Sequence, residues 1–263
     1  MGFALRVPVG VVGAITPFNF PLNLVAHKLA PAIAAGCPVV LKPAQQTPLT
    51  AIRLADLLVD RCGLPGSWLH KVTGAGSVVG KALAADEHVA MITFTGSPEV
   101  GWGIRSAAPR KKVSLEVGNN APVIIHVDGD WQAAARKIAV AGYSHAGQSC
   151  ISVQRVLVHE DIAEPFTASL GSAVEELVVG DPLDDRTQVS SLIDLASRDR
   201  VGNWIDEAVE AGAVVATGGR VDEATNVLLP TVLTDVTPDM RVCRDEVLVP
   251  WSASLRTTTL PWP

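Results

Sequence analysis

One cysteine of the sequence stands where a nucleophile could be presented. Cys150 ends the polar segment Gly-Gln-Ser-Cys, which follows a helix-like run and precedes a β-rich run. A thiol at the end of an element is accessible, and nearby backbone N–H groups can stabilise negative charge there. The alternative is a small buried cysteine, and the polar neighbours argue against it. Cys150 is therefore the candidate nucleophile.

A carboxylate and an amide could complete such a site. Glu116 ends the apolar run Val-Ser-Leu-Glu, and α/β enzymes place working groups at the carboxyl ends of sheet strands. We expect desolvation of this carboxyl group and a role as general base, with a solvated rim carboxylate as the alternative. Asn19 lies in the stiff segment Thr-Pro-Phe-Asn-Phe-Pro. Its amide can donate to an oxyanion, and an ordinary turn asparagine is the alternative.

Two glycine-containing turns and one lysine could hold a nucleotide. Residues 74–80 (GAGSVVG) follow a predicted strand and resemble the dinucleotide fingerprint, with one extra residue before the last glycine. Residues 94–97 (FTGS) form a second strand–turn–helix junction, where a phosphate can reach the N–H groups of a helix start. Lys42 ends a predicted strand and is a candidate ribose or phosphate ligand, with a solvated lysine as the alternative.

The elements that must position these residues alternate between strands and helices. In the first half, strands are predicted at residues 9–15, 39–42, 68–72, 91–94 and 113–116. Helices are predicted between them at residues 22–35, 47–61, 76–85 and 98–107. Strands separated by single helices favour a parallel sheet with helices on both faces, so the pattern predicts a doubly wound α/β nucleotide-binding fold.

The pattern changes where Gly118-Asn119-Asn120 interrupts it. We predict a Rossmann-like dinucleotide-binding domain over residues 1–118, incomplete at its start. Part of a second α/β domain, catalytic and incomplete at its end, is predicted over residues 119–263. Its predicted strands are 123–126, 153–159 and 214–216, its helices 131–143, 163–177 and 196–211, and its main loop 180–186.

The composition of the chain limits the classes of protein to which it can belong. The chain has 263 residues, of which 48% are hydrophobic and 18% charged, with a net charge of −6. These values favour a large folded core and make nucleic acid an unexpected partner. Apolar runs are too short to cross a membrane, and no signal-peptide layout is present. Four scattered cysteines suggest a reducing cytoplasm, and no metal-ligand spacing is found.

Five segments, in this order, resemble the aldehyde dehydrogenase superfamily. They are residues 16–21, 41–49 (LKPAQQTPL), 94–101 (FTGSPEVG), 115–118 and 147–150. The resemblance runs almost continuously from Val7 to about Glu246. It implies that Cys150 is the nucleophile, that Glu116 activates water, and that the Asn19 amide donates to the oxyanion. Together with the glycine-containing turns described above, it gives as candidate cofactor-binding residues Thr16, Pro17, Phe18, Lys42, Gln45, Gly76, Gly80, Gly96, Ser97 and Glu246.

The resemblance implies an oxidoreductase that converts a small-molecule aldehyde to a carboxylic acid with NAD or NADP. The thiolate forms a thiohemiacetal, hydride passes to the nicotinamide, and water releases the acid from a thioester. Lys42 is implied to contact the adenosine ribose, Ser97 the pyrophosphate and Glu246 the nicotinamide ribose. Gln45 stands where NAD-preferring relatives often have glutamate, which leaves NADP open. Family members form homo-oligomers, which we do not expect of this chain.

Several positions depart from the family pattern. Asn119 and Asn120 replace a common glycine–lysine pair, and the leading helices and an oligomerisation hairpin of the family are not found. Residues 248–263 lose the pattern, yet codons for them read one base earlier can encode FGPVVSVTPYDDLAVA, as a relative would continue. We therefore expect a change of reading frame near Val247, which resequencing the gene would check, and poor solubility with little activity.

Two other functions stay open from the sequence. The chain could be an inactive aldehyde dehydrogenase fragment that retains at most nucleotide or partner binding. It could also be a cysteine hydrolase or acyltransferase that uses Cys150 without hydride transfer. Against the second, the sequence marks no histidine as a partner of Cys150, and His145 is five residues away.

Overall fold

A computed structural model describes residues 2–246 and the backbone of residues 251–257. The expected change of reading frame concerns residues 247–263. Apart from the backbone of residues 251–257, this segment lies outside the described residues. The chain divides into two compact units, residues 1–118 and 119–263. Each unit contains its own five-stranded sheet.

The first unit is a parallel sheet with a helix between each pair of successive strands. Its elements are β1 (Val11–Ile15), α1 (Asn23–Ala34), β2 (Val39–Lys42), α2 (Pro48–Asp60), β3 (Leu69–Lys71), α3 (Lys81–Ala85), β4 (Val89–Thr95), α4 (Pro98–Ala107) and β5 (Lys112–Glu116). The strand order is β3-β2-β1-β4-β5, and all four pairings are parallel. The predicted doubly wound fold is confirmed, and its order reverses between β1 and β4, where such sheets bind ligands.

Hydrophobic residues on both faces of this sheet explain why it forms. Val12, Ala14 and Leu41 pack with helices α1 and α2 in one buried cluster. Ile15, Ile92 and Phe94 belong to a second cluster with residues of α3 and α4. Strands that are covered on both faces have nearly continuous apolar sequences, and β1 and β4 are of this kind.

One predicted helix of the first unit is wrong in form. The sequence predicts one helix over residues 76–85, but Gly76–Gly80 form a π-helical turn and only Lys81–Ala85 are α-helical. The turn contains two glycines and two adjacent β-branched valines, all of which disfavour a regular α-helix. Gly74 precedes it with φ of 139°, a conformation that favours glycine.

The second unit is a mixed sheet with helices. Its elements are β6 (Pro122–Ile125), α5 (Trp131–Tyr143), β7 (Arg155–His159), α6 (Glu160–Glu175), α7 (Leu195–Glu210), β8 (Val214–Thr217), β9 (Val221–Asp222), β10 (Val227–Leu228), β11 (Thr231–Thr234), α8 (Arg241–Arg244) and β12 (Trp251–Thr257). The main sheet has the order β6-β7-β12-β11-β8, and β8 runs antiparallel to β11. Sequence analysis missed β11, although all four of its residues are buried, because a four-residue run with threonine at both ends has no clear period.

Two kinds of feature are absent from the described residues. No helix in that part of the chain is long and apolar enough to cross a membrane. The same residues contain no group of three or more His, Cys, Asp or Glu side chains placed to hold a metal ion.

Candidate active site

Two of the buried polar side chains of the first unit lie at the carboxyl ends of β1 and β2. Among the described residues of this unit, the buried polar or charged ones are Thr16, Asn19, Lys28 and Lys42. Thr16 directly follows β1, and Lys42 is the last residue of β2. Buried polar groups are informative because burial costs free energy unless a partner or a ligand compensates.

Hydrogen bonds fix the turn that carries Asn19. The backbone N–H of Phe20 donates to Oδ1 of Asn19 at 3.1 Å. The hydroxyl of Thr47 donates to the carbonyl oxygen of Phe18 at 3.1 Å. Thr47 is the N-cap residue of α2, but its side chain does not cap that helix. The start of α2 therefore holds the 16–21 turn, and Asn19 is only 6% exposed.

Lys42 is buried, so the alternative of an ordinary solvated lysine is wrong. Its side-chain amino group donates to the carbonyl oxygen of Pro43 at 3.1 Å. Burial lowers the pKa of this lysine below its usual value of 10.5. Gln45, three residues later, is exposed.

The junction of β4 and α4 is shaped by glycine. Gly96 lies in the turn, where a Cβ atom would come within 2.6 Å of the Phe94 ring. Ser97 is the N-cap residue of α4, and its hydroxyl makes no capping hydrogen bond. The N-terminal end of α4 therefore presents backbone N–H groups beside a serine hydroxyl that does not cap them, a suitable place for phosphate oxygens.

The glycine-rich turn after β3 has a different character. Gly76 is exposed, and a Cβ added there would meet no atom within 4 Å. Gly80 is buried, and the nearest neighbour of an added Cβ would be a methyl group of Ile15 at 4.0 Å. Gly76 is thus open to a ligand, whereas Gly80 packs beneath the turn.

Glu116 ends β5 as predicted, but the expected desolvation is not found, since the residue is exposed. The buried group near it is Lys28 of α1, whose amino group donates to the Thr93 hydroxyl on β4 at 3.0 Å. Burial lowers the pKa of Lys28 from 10.5 to about 8, and the charge of Glu116 opposes this shift. Lys28 was not among the predicted site residues, although it is the one lysine in a mostly apolar helix.

These features fit a bound dinucleotide. The hydroxyl oxygen Oγ1 of Thr16 is buried without a hydrogen-bond partner in the described part of the chain, and it lies directly after β1, beside the reversal of strand order. Ser97 offers a hydroxyl at a helix start, and Lys42 offers an amino group. Unsatisfied buried groups at a switch point are expected where a ligand supplies the missing partner.

Cys150 lies in the second unit, after a turn of unusual backbone conformation. His145, Ala146 and Gly147 have φ values of 57°, 52° and 66°, which form a left-handed turn directly after α5. This conformation costs roughly 1–2 kcal/mol for each residue with a side chain. Strain of this kind is found where a site requires a particular chain direction. The turn leads into the candidate nucleophile, and Cys150 is partly exposed.

Hydrogen bonds on both sides hold the Cys150 loop. The hydroxyl of Ser152 donates to the Gly147 carbonyl at 3.1 Å, and the Ser152 N–H donates to the Ser149 carbonyl at 3.0 Å. The side chain of Gln148 ties the loop to a distant segment, since its Oε1 accepts the N–H of Ile193 at 2.9 Å. Gln148, Ser149 and Ser152 are all buried. Polar residues flanking Cys150 are therefore structural supports of its loop, and the alternative of an apolar buried cysteine is wrong.

Glu246 also lies in the second unit, beside Asn119. The backbone N–H of Asn119 donates to Oε1 of Glu246 at 3.0 Å. Burial raises the pKa of Glu246 above its usual value, and this hydrogen bond opposes the increase. The side chain of Asn119 donates to the Cys150 carbonyl at 3.2 Å. The structure thus connects Glu246 and Cys150 through one residue, and sequence analysis drew nothing from it.

Comparisons with known proteins show the family of the chain. A model of the aldehyde dehydrogenase family matches residues 1–259. The chain belongs to the aldehyde dehydrogenase family. It is 51% identical over 250 residues to a 3-sulfolactaldehyde dehydrogenase of Priestia aryabhattai, covering 95% of this chain and 52% of that protein. It is 39% identical to a succinate semialdehyde dehydrogenase of Acinetobacter baylyi, covering 97% of this chain and 53% of that protein.

Solved aldehyde dehydrogenases share the fold. A glyceraldehyde-3-phosphate dehydrogenase of Methanocaldococcus jannaschii, complexed with NADP, superposes with a TM-score of 0.91 at 40% identity, covering 96% of this chain and 56% of that one. An NAD-dependent aldehyde dehydrogenase of Sinorhizobium meliloti gives a TM-score of 0.92 at 39% identity, covering 96% and 51%. The chain therefore spans about half the length of the relatives it matches.

Proposed function

We propose that the chain carries the catalytic machinery for oxidising an aldehyde to a carboxylic acid with NAD or NADP. Family membership supports the reaction class, and the strongest support from the structure is the loop of Cys150. A left-handed turn after α5 and buried polar residues hold the loop that carries this partly exposed thiol. Such a built loop is typical of a nucleophile rather than of a packing residue.

In the proposed reaction, the Cys150 thiolate forms a carbon–sulfur bond with the aldehyde carbon. The Asn19 amide and the Cys150 backbone N–H then donate to the resulting oxyanion. A bound nicotinamide would accept the hydride, which leaves a thioester on the sulfur. Glu116 takes a proton from water, the hydroxide displaces the thiolate, and the carboxylic acid leaves.

Residues of both units would hold the cofactor. We propose that Lys42 contacts the adenosine ribose, that Ser97 contacts the pyrophosphate and that Glu246 contacts the nicotinamide ribose. Thr16, Pro17, Phe18, Gln45, Gly76, Gly80 and Gly96 shape the rest of the site. These roles make residues 1–118 the cofactor-binding domain and place the nucleophile in the catalytic domain of residues 119–263.

The test is a spectrophotometric scan of aldehydes with NAD and with NADP, using the full chain. The scan includes 3-sulfolactaldehyde, succinate semialdehyde and lactaldehyde, the substrates named for relatives. A second protein that continues after Val247 with the family-like residues is assayed in parallel. We expect aldehyde-dependent formation of the reduced nicotinamide, with more of it in the extended protein.

Matched variants separate the proposal from its alternatives. Cys150→Ser should abolish turnover, whereas Cys62→Ser, at an exposed cysteine, should leave it unchanged. Asn19→Ala should lower turnover by about 10²–10³, the usual effect of removing one oxyanion donor, and the exposed Asn23→Ala should not. Ester cleavage without nicotinamide would instead favour a hydrolase, and turnover retained by Cys150→Ser would refute the proposed nucleophile.

A further inference from the structure

Within the described residues, Asn119 makes hydrogen bonds to three different residues. Its side-chain oxygen Oδ1 accepts the backbone N–H of Ala121 at 2.7 Å. Its side-chain nitrogen Nδ2 donates to the carbonyl oxygen of Cys150 at 3.2 Å. Its backbone N–H donates to Oε1 of Glu246 at 3.0 Å. One residue therefore contacts both the candidate nucleophile loop and the candidate ribose ligand.

The amide of Asn119 is oriented by its own turn. Because Oδ1 is engaged by Ala121, the planar amide group directs Nδ2 toward the Cys150 carbonyl. The bond to Ala121 is an Asx turn, a local geometry that asparagine and aspartate both adopt. Only asparagine, however, can then donate from the other side of the group.

Hydrogen bonds of the next residue, Asn120, fix the backbone beside Asn119. The side-chain nitrogen of Asn120 donates to the carbonyl oxygen of Cys243 at 3.0 Å, at the end of α8. The carbonyl oxygen of Asn120 accepts from Nε of Arg155 at 3.0 Å, at the start of β7. Asn119 is thus attached to the segments before Glu246 and after Cys150, so its own position is well defined.

We propose that Asn119 is a positioning residue that keeps the Cys150 loop and the Glu246 carboxylate in register. The inference rests on the proposed function, in which Cys150 is the nucleophile and Glu246 contacts the cofactor. A nucleophile that moves by about 1 Å can lose 10²-fold in rate. Asn119 is exposed, so its hydrogen bonds compete with water and the effect of losing one is expected to be smaller.

Two substitutions remove the bond to Cys150, and Asn119→Asp removes it without removing the Asx turn. Asn119→Asp keeps the acceptor for Ala121 and the backbone N–H for Glu246, but it removes the side-chain donor. Asn119→Gly also keeps the backbone N–H and adds no charge. Asn203→Asp, at an exposed position of α7, serves as the control for the added charge.

The first measurement needs no turnover. The rate at which iodoacetamide alkylates Cys150 is followed from pH 6 to pH 10 by mass spectrometry, since the tryptic peptide of residues 138–155 contains one cysteine. In both Asn119 variants we expect the plateau rate at high pH to rise about three- to tenfold, because a released loop exposes the sulfur. A pure charge effect of aspartate would instead move the midpoint and leave the plateau unchanged.

Buried cysteines report whether the fold has survived. Cys37 and Cys243 are buried, so their alkylation should stay slow if only the Cys150 loop has been released. Where turnover is measurable, the two variants should lower kcat about three- to tenfold and change the KM for the aldehyde by less than threefold.

The inference is overturned if both variants leave the plateau alkylation rate of Cys150 unchanged. It is also overturned if Asn119→Asp behaves as the original protein while Asn119→Gly does not, because the Asx turn alone would then be what matters. Failure of the proposed function has a different signature, namely turnover that persists in Cys150→Ser.

Discussion

At the scale of single residues, the structure distinguishes groups that are ready for chemistry from groups that only stabilise. Cys150 is partly exposed on a supported loop, and Glu116 is exposed at the end of β5. Lys28 and Lys42 are both buried, which an ordinary solvated lysine would not be. Burying a positive charge costs free energy. These two lysines therefore reduce the stability of the fold unless a bound ligand or another interaction offsets that cost.

Lys28 provides a prediction about pH and stability. Its pKa is about 8 in the folded chain, against the 10.5 that is usual for an exposed lysine. Between these pH values the unfolded chain binds more protons, so stability should rise with pH. The full difference corresponds to roughly 3 kcal/mol. Relative to Lys28→Met, the original protein should therefore gain up to this amount between pH 8 and pH 10.5.

Urea unfolding across this pH range measures the difference. Lys81→Met, which alters an exposed lysine of the same unit, provides the control. A constant gap between the original protein and Lys28→Met from pH 7 to pH 10.5 would contradict the lowered pKa. A gap that changes in the opposite direction would show that protonation of Lys28 stabilises the fold.

At the scale of elements, α4 shows how one glycine positions a phosphate-binding turn. A Cβ at Gly101 would come within 2.5 Å of a Val117 methyl group, whereas one at Gly103 would meet no atom within 4 Å. Both glycines lie in α4. Gly101 therefore allows the helix to approach the segment after β5 closely, and Ser97 at the helix start is carried with it.

The two glycines should respond oppositely to alanine. Gly101→Ala should destabilise the protein by about 1–3 kcal/mol, because overpacking forces the helix or the valine to move. Gly103→Ala should stabilise it by about 0.5–1 kcal/mol, because alanine favours an exposed helix position. Denaturant unfolding measures both. Equal effects of the two substitutions would refute the close approach of α4 to Val117.

At the scale of the whole molecule, the polar residues proposed to bind a dinucleotide come mainly from the first unit. Thr16, Lys42 and Ser97 lie at the carboxyl ends of β1, β2 and β4. A ligand that binds the folded state stabilises it by mass action, by about 2.7 kcal/mol at 100 times its Kd. Exchange through local opening should slow only in the segments that the bound nucleotide contacts.

Hydrogen exchange with and without NAD or NADP checks this localisation. We expect added protection in peptides that contain residues 16–20, 42–47 and 95–99. A peptide from α6 in the second unit serves as the internal control and should exchange at an unchanged rate. Equal added protection of these three segments and of the α6 peptide, or no added protection at saturating nucleotide, would contradict the proposed cofactor site.

Local sequence patterns predict several helices and the parallel sheet of the first unit. Helices α4 and α5 begin and end as predicted, at Pro98–Ala107 and Trp131–Tyr143, because proline or an aspartate cap starts each apolar periodic run. Alternation of strands and helices also predicted the parallel sheet of the first unit. Candidate roles for Cys150, Glu116 and Asn19 followed from residue type and family resemblance, and they stay predictions until the variants are assayed.

Tertiary structure alone decided which polar groups are buried and what they contact. The burial of Lys28 against Thr93 joins residues 65 positions apart, and Asn119 reaches Glu246 across 127 positions. Such pairings depend on how strands and loops pack, and no local period encodes them. The left-handed turn before Cys150 is also not encoded locally, because His145 and Ala146 do not favour that conformation by themselves. Packing of the surrounding loop imposes it.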